Sequence, residues 1–294
     1  MSRFSALFPH PWPLIGVVHL RPLPGSPSNA EPLSSILEVA RSDATILAET
    51  GFDGIIVENF GDAPFMPEQV EPHTIVAMTL AVTEVANAAA EAAARMERRA
   101  PAIGVNVLRN DARSALAIAA VTGAGFIRVN VHCGAMVTDQ GLIQGKAHET
   151  LRYRHALGAR RVAILADVLV KHAIPLGSAD LKGVAKDTWL RGKADGLVLS
   201  GRGTGEPTDL VSAAQVRQAL PGAHLLQGSG LTLETLQASM GSFSGAIVGT
   251  SIKVDGQVEN RVDPLRALEL VSARDGFHLQ FSDRAGPEYG PAGI

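Results

Sequence analysis

The sequence predicts a single (β/α)8 barrel. Eight short runs of β-branched and aliphatic residues recur along the chain, and each is followed by a helical pattern. Their starts lie 22 to 49 residues apart, which leaves room for a crossover helix, excludes hairpins between them and favours parallel pairing. No composition break divides the 294 residues, so one barrel is favoured over two domains. An open, doubly wound sheet is the alternative.

The predicted strands are 14–20, 54–59, 103–108, 126–132, 162–168, 196–200, 224–228 and 246–250. Residues typical of helix ends lie between them. The predicted first-turn or N-cap residues are Pro32, Asp111, Thr208, Thr232 and Asp263, and Gly51 and Gly123 are the predicted terminators. The alanine-rich stretch 70–99 has high helix propensity. We expect the barrel to span 1–278 and residues 279–294 to form a flexible tail.

Composition narrows the class of protein further. The net charge is −3, and 19% of residues are charged against 46% hydrophobic, which argues against disorder and against nucleic acid as a partner. A single cysteine allows no internal disulfide and no Cys-rich zinc site. No signal peptide is recognisable, so a cytoplasmic location is expected. The apolar stretch 80–94 is interrupted by Glu84, Asn87 and Glu91, so we expect no membrane insertion, whereas peripheral association stays open.

Strand alternation predicts which side chains point into the barrel, because the outer face lies under helices and must be apolar. In the fourth strand, this sends Arg128, Asn130 and His132 inward. The same test sends Glu58, Asn106, Asp167, Gln227 and, less directly, His19 inward. Such a set at the carboxyl ends of strands is typical of an active site. The alternative is a buried polar network whose members only satisfy one another.

Glycine-rich turns after the seventh and eighth strands predict a phosphate site, because amide groups at such turns bind anions. The predicted phosphate-binding residues are Gly228, Ser229, Gly230, Gly249, Thr250 and Ser251. The alternative is that these glycines serve only tight turns. Neither a Rossmann fingerprint nor a Walker loop is present. The glycine-rich loop 200–206, which contains Arg202, could be a closing lid, a second anion contact or a linker.

Four residues are predicted to be catalytic: Glu58, His132, Asp167 and Lys171. The predicted substrate-binding residues are His19, Asn59, Asn106, Arg128, Asn130 and Ser200. Lys171 could be an electrophile, a phosphate ligand, a Schiff-base amine or a surface lysine paired with Asp167. We predict no cofactor, although Glu58, His132 and Asp167 could together bind one divalent metal ion. Cys133 has the opposite parity to His132, which argues against a Cys-His nucleophile.

Several longer motifs resemble the BtpA/SgcQ family. They lie at 16–20 with 22–25, 57–65, 104–111, 126–134, 138–141 with 145–147, 166–168 with 171–173, 228–230 and 248–253. The resemblance covers about 15–270 and implies a TIM barrel related to phosphate-binding barrels. Cyanobacterial members are described as photosystem I biogenesis proteins, and an enterobacterial member among sugar-phosphate genes is described as a nucleosidase candidate. The chain departs from the family at 233–235, where an Asn-containing helix start is usual, and in its extra tail. No catalytic residue carries over.

Two functions follow from these observations. The first is an enzyme, nucleosidase-like or a lyase or isomerase, that acts on a phosphorylated sugar or nucleoside, with a phosphorylated small molecule as its partner. The second is a non-catalytic assembly factor for a membrane protein complex such as photosystem I, which predicts exposed apolar patches instead of a polar pocket. With either function, the protein could be a homo-oligomer.

Overall fold

A computed structural model describes residues 2–177, 180–201 and 208–284, the last seven as backbone only. Eight parallel strands close into a barrel, which confirms the predicted fold class. They are β1 (Leu14–His19), β2 (Gly54–Glu58), β3 (Ala102–Asn106), β4 (Phe126–Val129), β7 (Ala163–Asp167), β9 (Gly196–Leu199), β10 (Leu225–Gln227) and β11 (Ala246–Val248). Around the barrel the order is β1-β11-β10-β9-β7-β4-β3-β2. Seven of these strands lie within their predicted ranges, and β3 begins one residue earlier.

Helices surround the barrel: α1 (Arg3–Leu7), α2 (Leu33–Thr50), α3 (Pro72–Arg95), α4 (Ala112–Thr122), α5 (Ala147–Ala156), α6 (Leu181–Lys186), α7 (Leu210–Ala219), α8 (Leu233–Ser242) and α9 (Pro264–Arg284). Asp111 caps α4 and Thr232 caps α8, as predicted. The prediction for α7 was wrong, because Asp209 accepts the hydrogen bonds at its start while the Thr208 hydroxyl donates to the carbonyl oxygens of Leu199 and Ser229.

The lower half of the barrel interior, at the amino-terminal end of the barrel, is apolar. Its cluster of side chains includes Ile56, Phe126, Leu165 and Leu226. Phe4 of helix α1 and Phe8, the residue directly after it, belong to the same group of buried residues and extend the cluster. The chain therefore fills the amino-terminal end of its barrel with an N-terminal helix, an element for which the sequence analysis had no prediction.

A small antiparallel sheet lies outside the barrel strands, in the order β6-β5-β8. Its strands are β5 (Ala135–Thr138), β6 (Gly141–Gln144) and β8 (Ala173–Pro175). The hairpin of β5 and β6 lies between β4 and α5 and was not predicted; the exclusion of hairpins concerned only the eight barrel strands. Spacing between barrel strands could not reveal a hairpin built inside one βα connection. This sheet is formed by the connections that follow β4 and β7, the two strands that carry Arg128 and Asp167.

Helices α3 and α9 concern two predictions made from the sequence: the absence of membrane insertion and the end of the barrel domain. Helix α3 is long and apolar enough to cross a membrane by length and composition alone, but Met78, Val82 and Val85 on it are buried in the main hydrophobic cluster of the protein. Helix α9 continues to Arg284, past the predicted end of the barrel domain at residue 278. The rest of the predicted tail, residues 285–294, lies outside the described residues.

Candidate active site

The carboxyl ends of β2 and β3 hold a hydrogen-bonded acid and amide. Glu58 and Asn106 are register partners on adjacent strands, and both side chains point inward, as strand alternation predicts. Asn106 Nδ2 donates to Glu58 Oε2 at 2.9 Å. The hydrogen bond uses one carboxylate oxygen of Glu58, which leaves the other carboxylate oxygen for a ligand.

Arg128 and Asp167 form a buried bidentate ion pair across β4 and β7. Arg128 Nε lies 2.9 Å from Asp167 Oδ1, and Arg128 Nη2 lies 3.0 Å from Asp167 Oδ2. Asn130 Nδ2 also donates to Asp167 Oδ2, at 3.0 Å. The Asp167 side chain is only 1% exposed. Since both of its oxygens are engaged, this carboxylate is suited to orienting Arg128 rather than to exchanging protons with a substrate.

Two cavities open at this end of the barrel and share three residues. The smaller, of about 160 Å³, extends towards the loops after β10 and β11, and the larger, of about 350 Å³, lies over β2, β3 and β4. Glu58, Arg128 and Lys171 line both cavities. A ligand with two parts could therefore occupy both cavities and contact these three side chains between them.

Lys171 lies in the loop that follows β7. Burial and the neighbouring Arg128 guanidinium lower the pKa of its amine, while Glu58 and Asp167 act in the opposite direction. Among the described residues its ammonium group makes no hydrogen bond or ion pair, so the predicted pairing with Asp167 is not formed. The Lys171 backbone is held in place, because its carbonyl oxygen accepts a hydrogen bond from Arg109 Nη2 at 2.8 Å.

His19, at the end of β1, lies in the smaller cavity. Burial, followed by the charges of Lys253, Lys171 and Arg128, keeps the pKa of His19 well below its ordinary value, so the ring is neutral at pH 7. Its Nδ1 is buried and has no hydrogen-bond partner within the described chain. The ring packs against Phe60, with 4.7 Å between centroids. A neutral imidazole in this position can donate one hydrogen bond to a ligand and accept another.

The two glycine-rich loops follow the neighbouring strands β10 and β11 and line the smaller cavity. All six predicted phosphate-binding residues line it: Gly228, Ser229, Gly230, Gly249, Thr250 and Ser251. Gly230 has φ +70°, a conformation that side chains other than glycine rarely adopt. The Gly228 amide is already used, because it donates to the Leu199 carbonyl oxygen at 2.6 Å. Ser251 Oγ is buried without a hydrogen-bond partner in the described part of the protein.

Several predicted site residues lie elsewhere. His132 Nε2 is 2.8 Å from the Gly192 carbonyl oxygen, and His132 lines neither of the two cavities. Because β4 ends at Val129, alternation does not extend to residue 132, and burial lowers the pKa of His132 in this separate environment. Asn59 Oδ1 accepts a hydrogen bond from the Leu108 amide at 2.7 Å, which ties together two loops.

Ser200 directly follows β9. Its Oγ is buried without a described partner, and a Cβ added at Gly228 would lie 2.4 Å from this oxygen. Ser200 therefore packs behind the first glycine-rich loop and lines neither cavity. The predicted lid around Arg202 lies outside the described residues.

The structure does not bring together the three residues considered for a divalent metal ion. Glu58 lines the cavities, Asp167 is paired with Arg128, and His132 faces Gly192. Over residues 2–177, 180–201 and 208–284, no group of three or more His, Cys, Asp or Glu side chains is placed to hold a metal ion.

The sequence analysis missed part of the lining of the larger cavity. Arg109, Asp139 and His172 lie there together with Phe60 and Phe65. Arg109 follows β3 within a motif that resembled the family, which was the one available signal for it. Asp139 and His172 come from the connections that form the small antiparallel sheet, so no strand pattern could place them at the site.

Comparison with solved structures agrees with the fold. A KDPGal structure has a TM-score of 0.52 at 14% identity and covers 93% of this chain and 98% of that chain. N-(5′-phosphoribosyl)anthranilate isomerase from Pyrococcus furiosus has a TM-score of 0.51 at 12% identity and covers 90% and 99%. At this level of identity the likeness concerns the barrel fold alone.

Sequence comparison identifies the family. The chain is 48% identical over 261 residues to Photosystem I biogenesis protein BtpA of Synechocystis, which covers 89% of this chain and 87% of that protein. An uncharacterized protein of Thermococcus kodakarensis is 43% identical and covers 88% and 94%. The sequence profile of the BtpA family matches residues 11–276. The chain therefore belongs to the BtpA family.

Proposed function

We propose that this protein is an enzyme acting on a phosphorylated sugar or nucleoside. The observation that carries the proposal is the pair of cavities that share Glu58, Arg128 and Lys171 in their linings. In this assignment the phosphate occupies the smaller cavity and the sugar the larger one. One molecule then contacts the glycine-rich loops and the ionisable groups together.

The smaller cavity has the chemistry that a phosphate group requires. Helix α8 begins directly after Thr232, which lines the cavity, and the dipole at the amino-terminal end of a helix favours an anion there, although the Thr232 hydroxyl already accepts from the Thr235 amide. Arg128, in the lining of the same cavity, supplies positive charge. The buried Ser251 hydroxyl and the His19 ring supply further hydrogen-bonding groups without adding charge. A phosphate here would satisfy groups that the described protein leaves without partners.

Glu58 is the best-placed acid or base in the site. It lines both cavities, and within the described residues only one of its carboxylate oxygens accepts a hydrogen bond, from the Asn106 amide. A carboxyl group in this position can give a proton to a leaving group or remove one from a substrate carbon or hydroxyl. Arg128, oriented by Asp167, would stabilise negative charge that develops beside it. Asp167 is therefore a positioning residue in this proposal, and Glu58 and Lys171 are the catalytic residues.

Binding and turnover test the proposal separately. We expect inorganic phosphate at tens of millimolar to raise the thermal midpoint of unfolding of the wild-type protein. In a panel of sugar phosphates and nucleoside monophosphates, we expect at least one to be turned over. Glu58→Gln keeps the shape of the side chain and should lower that turnover by about 100-fold or more while phosphate still binds. No stabilisation by phosphate, or wild-type turnover by Glu58→Gln, would overturn the proposal.

An exposed apolar row favours a second candidate function, that of an assembly factor. Leu142, Val137 and Ile174 are register partners across β6, β5 and β8. They are 47%, 45% and 71% exposed, on the face of the sheet opposite the buried Met136 and Ile143. Three apolar side chains exposed side by side are typical of a protein-binding surface. The name of the Synechocystis relative points to the assembly of a membrane complex.

A complementation experiment separates the two candidates. This chain would be expressed in a Synechocystis strain that lacks the relative, and accumulation of photosystem I would be measured. If the assembly role needs only the surface, Glu58→Gln should restore accumulation as well as the wild-type chain does, and Val137→Ser with Ile174→Ser should not. The opposite pattern would favour the enzyme.

A further inference from the structure

We propose that Lys171 Nζ forms an imine with the carbonyl carbon of its substrate, which makes the substrate class a phosphorylated aldose or ketose. This inference rests on the proposed function and narrows it. It excludes an intact nucleoside monophosphate as the reacting molecule, because the sugar of a nucleoside has no free carbonyl group. The carbonyl would lie in the larger cavity and the phosphate in the smaller one.

The geometry distinguishes the half-buried Lys171 from the buried cations Arg128 and Lys253. Arg128 is paired with Asp167 at 2.9 Å, and Lys253, which is 1% exposed, is paired with Asp43 at 2.9 Å. Lys171 has no such partner among the described residues, although it lies between two cavities and near Glu58 and Asp167. The Lys171 side chain is half-buried between the two cavities and no described group holds its amine, so the amine is available to a ligand that occupies them.

The pKa of the Lys171 amine is lowered, first by burial and then by the Arg128 charge, with a smaller contribution from Arg109 and against the opposing charges of Glu58 and Asp167. A lowered pKa raises the fraction of neutral amine, which is the nucleophilic form. A lysine that only bound phosphate would instead work as a compact positive charge. The hydrogen bond from Arg109 to the Lys171 carbonyl oxygen fixes the loop from which the side chain extends.

The chemical step balances with the groups present. The nitrogen lone pair attacks the carbonyl carbon, the C–N bond forms, and the π electron pair moves to the oxygen, which takes up a proton. The nitrogen loses a proton to give a carbinolamine. Protonation of the carbinolamine hydroxyl then releases water and leaves the protonated imine. Glu58, which lines both cavities, is placed to carry these protons. No oxidant, metal or further reactant is needed.

Borohydride trapping tests the inference on the intact protein. The probes are dihydroxyacetone phosphate, ribose 5-phosphate and fructose 6-phosphate, and glycerol 3-phosphate serves as a matched phosphate ester without a carbonyl group. Reduction of the imine should give a stable adduct whose mass gain equals the sugar phosphate less one oxygen atom. Peptide mapping should place the adduct on Lys171. Inorganic phosphate should reduce the trapping by competing for the smaller cavity.

Variants supply the controls. Lys171→Arg and Lys171→Met should lose the adduct, while Lys182→Arg, which alters an exposed lysine on α6, should keep it. Thermal shifts with glycerol 3-phosphate, recorded on the same proteins, report phosphate binding independently and show whether each variant is folded.

The outcomes are distinguishable. A carbonyl-dependent adduct on Lys171 supports the inference. Stabilisation by glycerol 3-phosphate with no adduct from any of the three sugars overturns the imine and leaves the proposed function standing. An adduct on other lysines, unchanged in Lys171→Arg, also overturns it. Absence of both stabilisation and adduct overturns the imine and the proposed phosphate site together.

Discussion

The two halves of the barrel interior differ in chemistry although the same strands build both. On β2, Ile56 and Glu58 are two residues apart and therefore face the same way. Ile56 belongs to the apolar cluster of the lower half, whereas Glu58 lines the two cavities above it. On β4, Phe126 and Arg128 repeat the change. The transition from apolar to ionisable side chains therefore marks the layer where the packed core ends and the candidate site begins.

This difference shows how one fold separates stability from function. The lower half gains stability by removing apolar surface from water. In the upper half, removing charged groups from water costs free energy. Only well-formed ion pairs, such as Arg128 with Asp167, offset this cost. Substitutions in the lower half should change stability alone, and substitutions in the upper half should change ligand binding as well.

The largest effect is expected for Arg128→Met. This substitution leaves the buried Asp167 carboxylate without its cation, so we expect the free energy of unfolding to fall by about 3–5 kcal/mol. Phosphate binding should be lost as well. Chemical denaturation and isothermal titration calorimetry measure the two effects.

The double variant Arg128→Met with Asp167→Leu is the control for Arg128→Met. It removes both charges and should recover part of the stability without recovering phosphate binding. If the double variant bound phosphate normally, the upper half would be a structural network and not a site.

A smaller effect on binding is expected for Gly249→Ala. The added Cβ would lie 2.8 Å from His19 Cε1, so the imidazole must move within the smaller cavity. We expect the dissociation constant for inorganic phosphate to rise by about tenfold, which corresponds to about 1.4 kcal/mol. Gly222→Ala, where an added Cβ meets nothing within 4 Å, is the matched control. Equal affinities for both variants would remove the second glycine-rich loop from the site.

Ile56→Val tests the lower half directly. Removing one buried methyl group should lower the free energy of unfolding by about 0.5–1.5 kcal/mol. The affinity of the folded protein for phosphate should stay at the wild-type value, because Ile56 lines neither cavity. A clear change in that affinity would show that the two halves are coupled. Stability and ligand binding would then not be assigned to separate halves.

The smallest expected effect is on the pH dependence of the free energy of unfolding, and it concerns His19. Its pKa is held well below the ordinary value in the folded protein by burial, whereas the unfolded chain titrates near 6.5. Below about pH 6.5 the unfolded state therefore binds more protons, so the free energy of unfolding should fall as the pH falls.

His19→Gln should flatten this decline, and His148→Gln should not, because the His148 side chain is 67% exposed. Urea unfolding between pH 8 and pH 5 gives the comparison. The other buried histidines contribute to the wild-type slope, so the difference between His19→Gln and the wild-type protein is the quantity to measure. A slope unchanged by His19→Gln would show that His19 takes up its proton as readily in the folded protein as in the unfolded chain.

Much of the site could be predicted from strand alternation. Within a strand, side chains alternate by covalent geometry, so the inward positions of Glu58, Asn106 and Arg128 followed from the apolar character of their neighbours. The same rule failed for His132, because it was applied beyond Val129, where β4 ends. Alternation also gave no information on Lys171, Arg109 and Asp139, which lie on loops or on the small antiparallel sheet.

The sequence by itself determined the barrel, its strand positions and the inward-facing polar layer, because these depend on local periodicity and on which face must be apolar. Only the tertiary structure decided which polar groups pair with one another. Asp167 is committed to Arg128, Glu58 keeps a free oxygen beside Asn106, and Lys171 has no described partner. Pairing depends on distances between side chains that are far apart in the chain, and no local pattern encodes those distances.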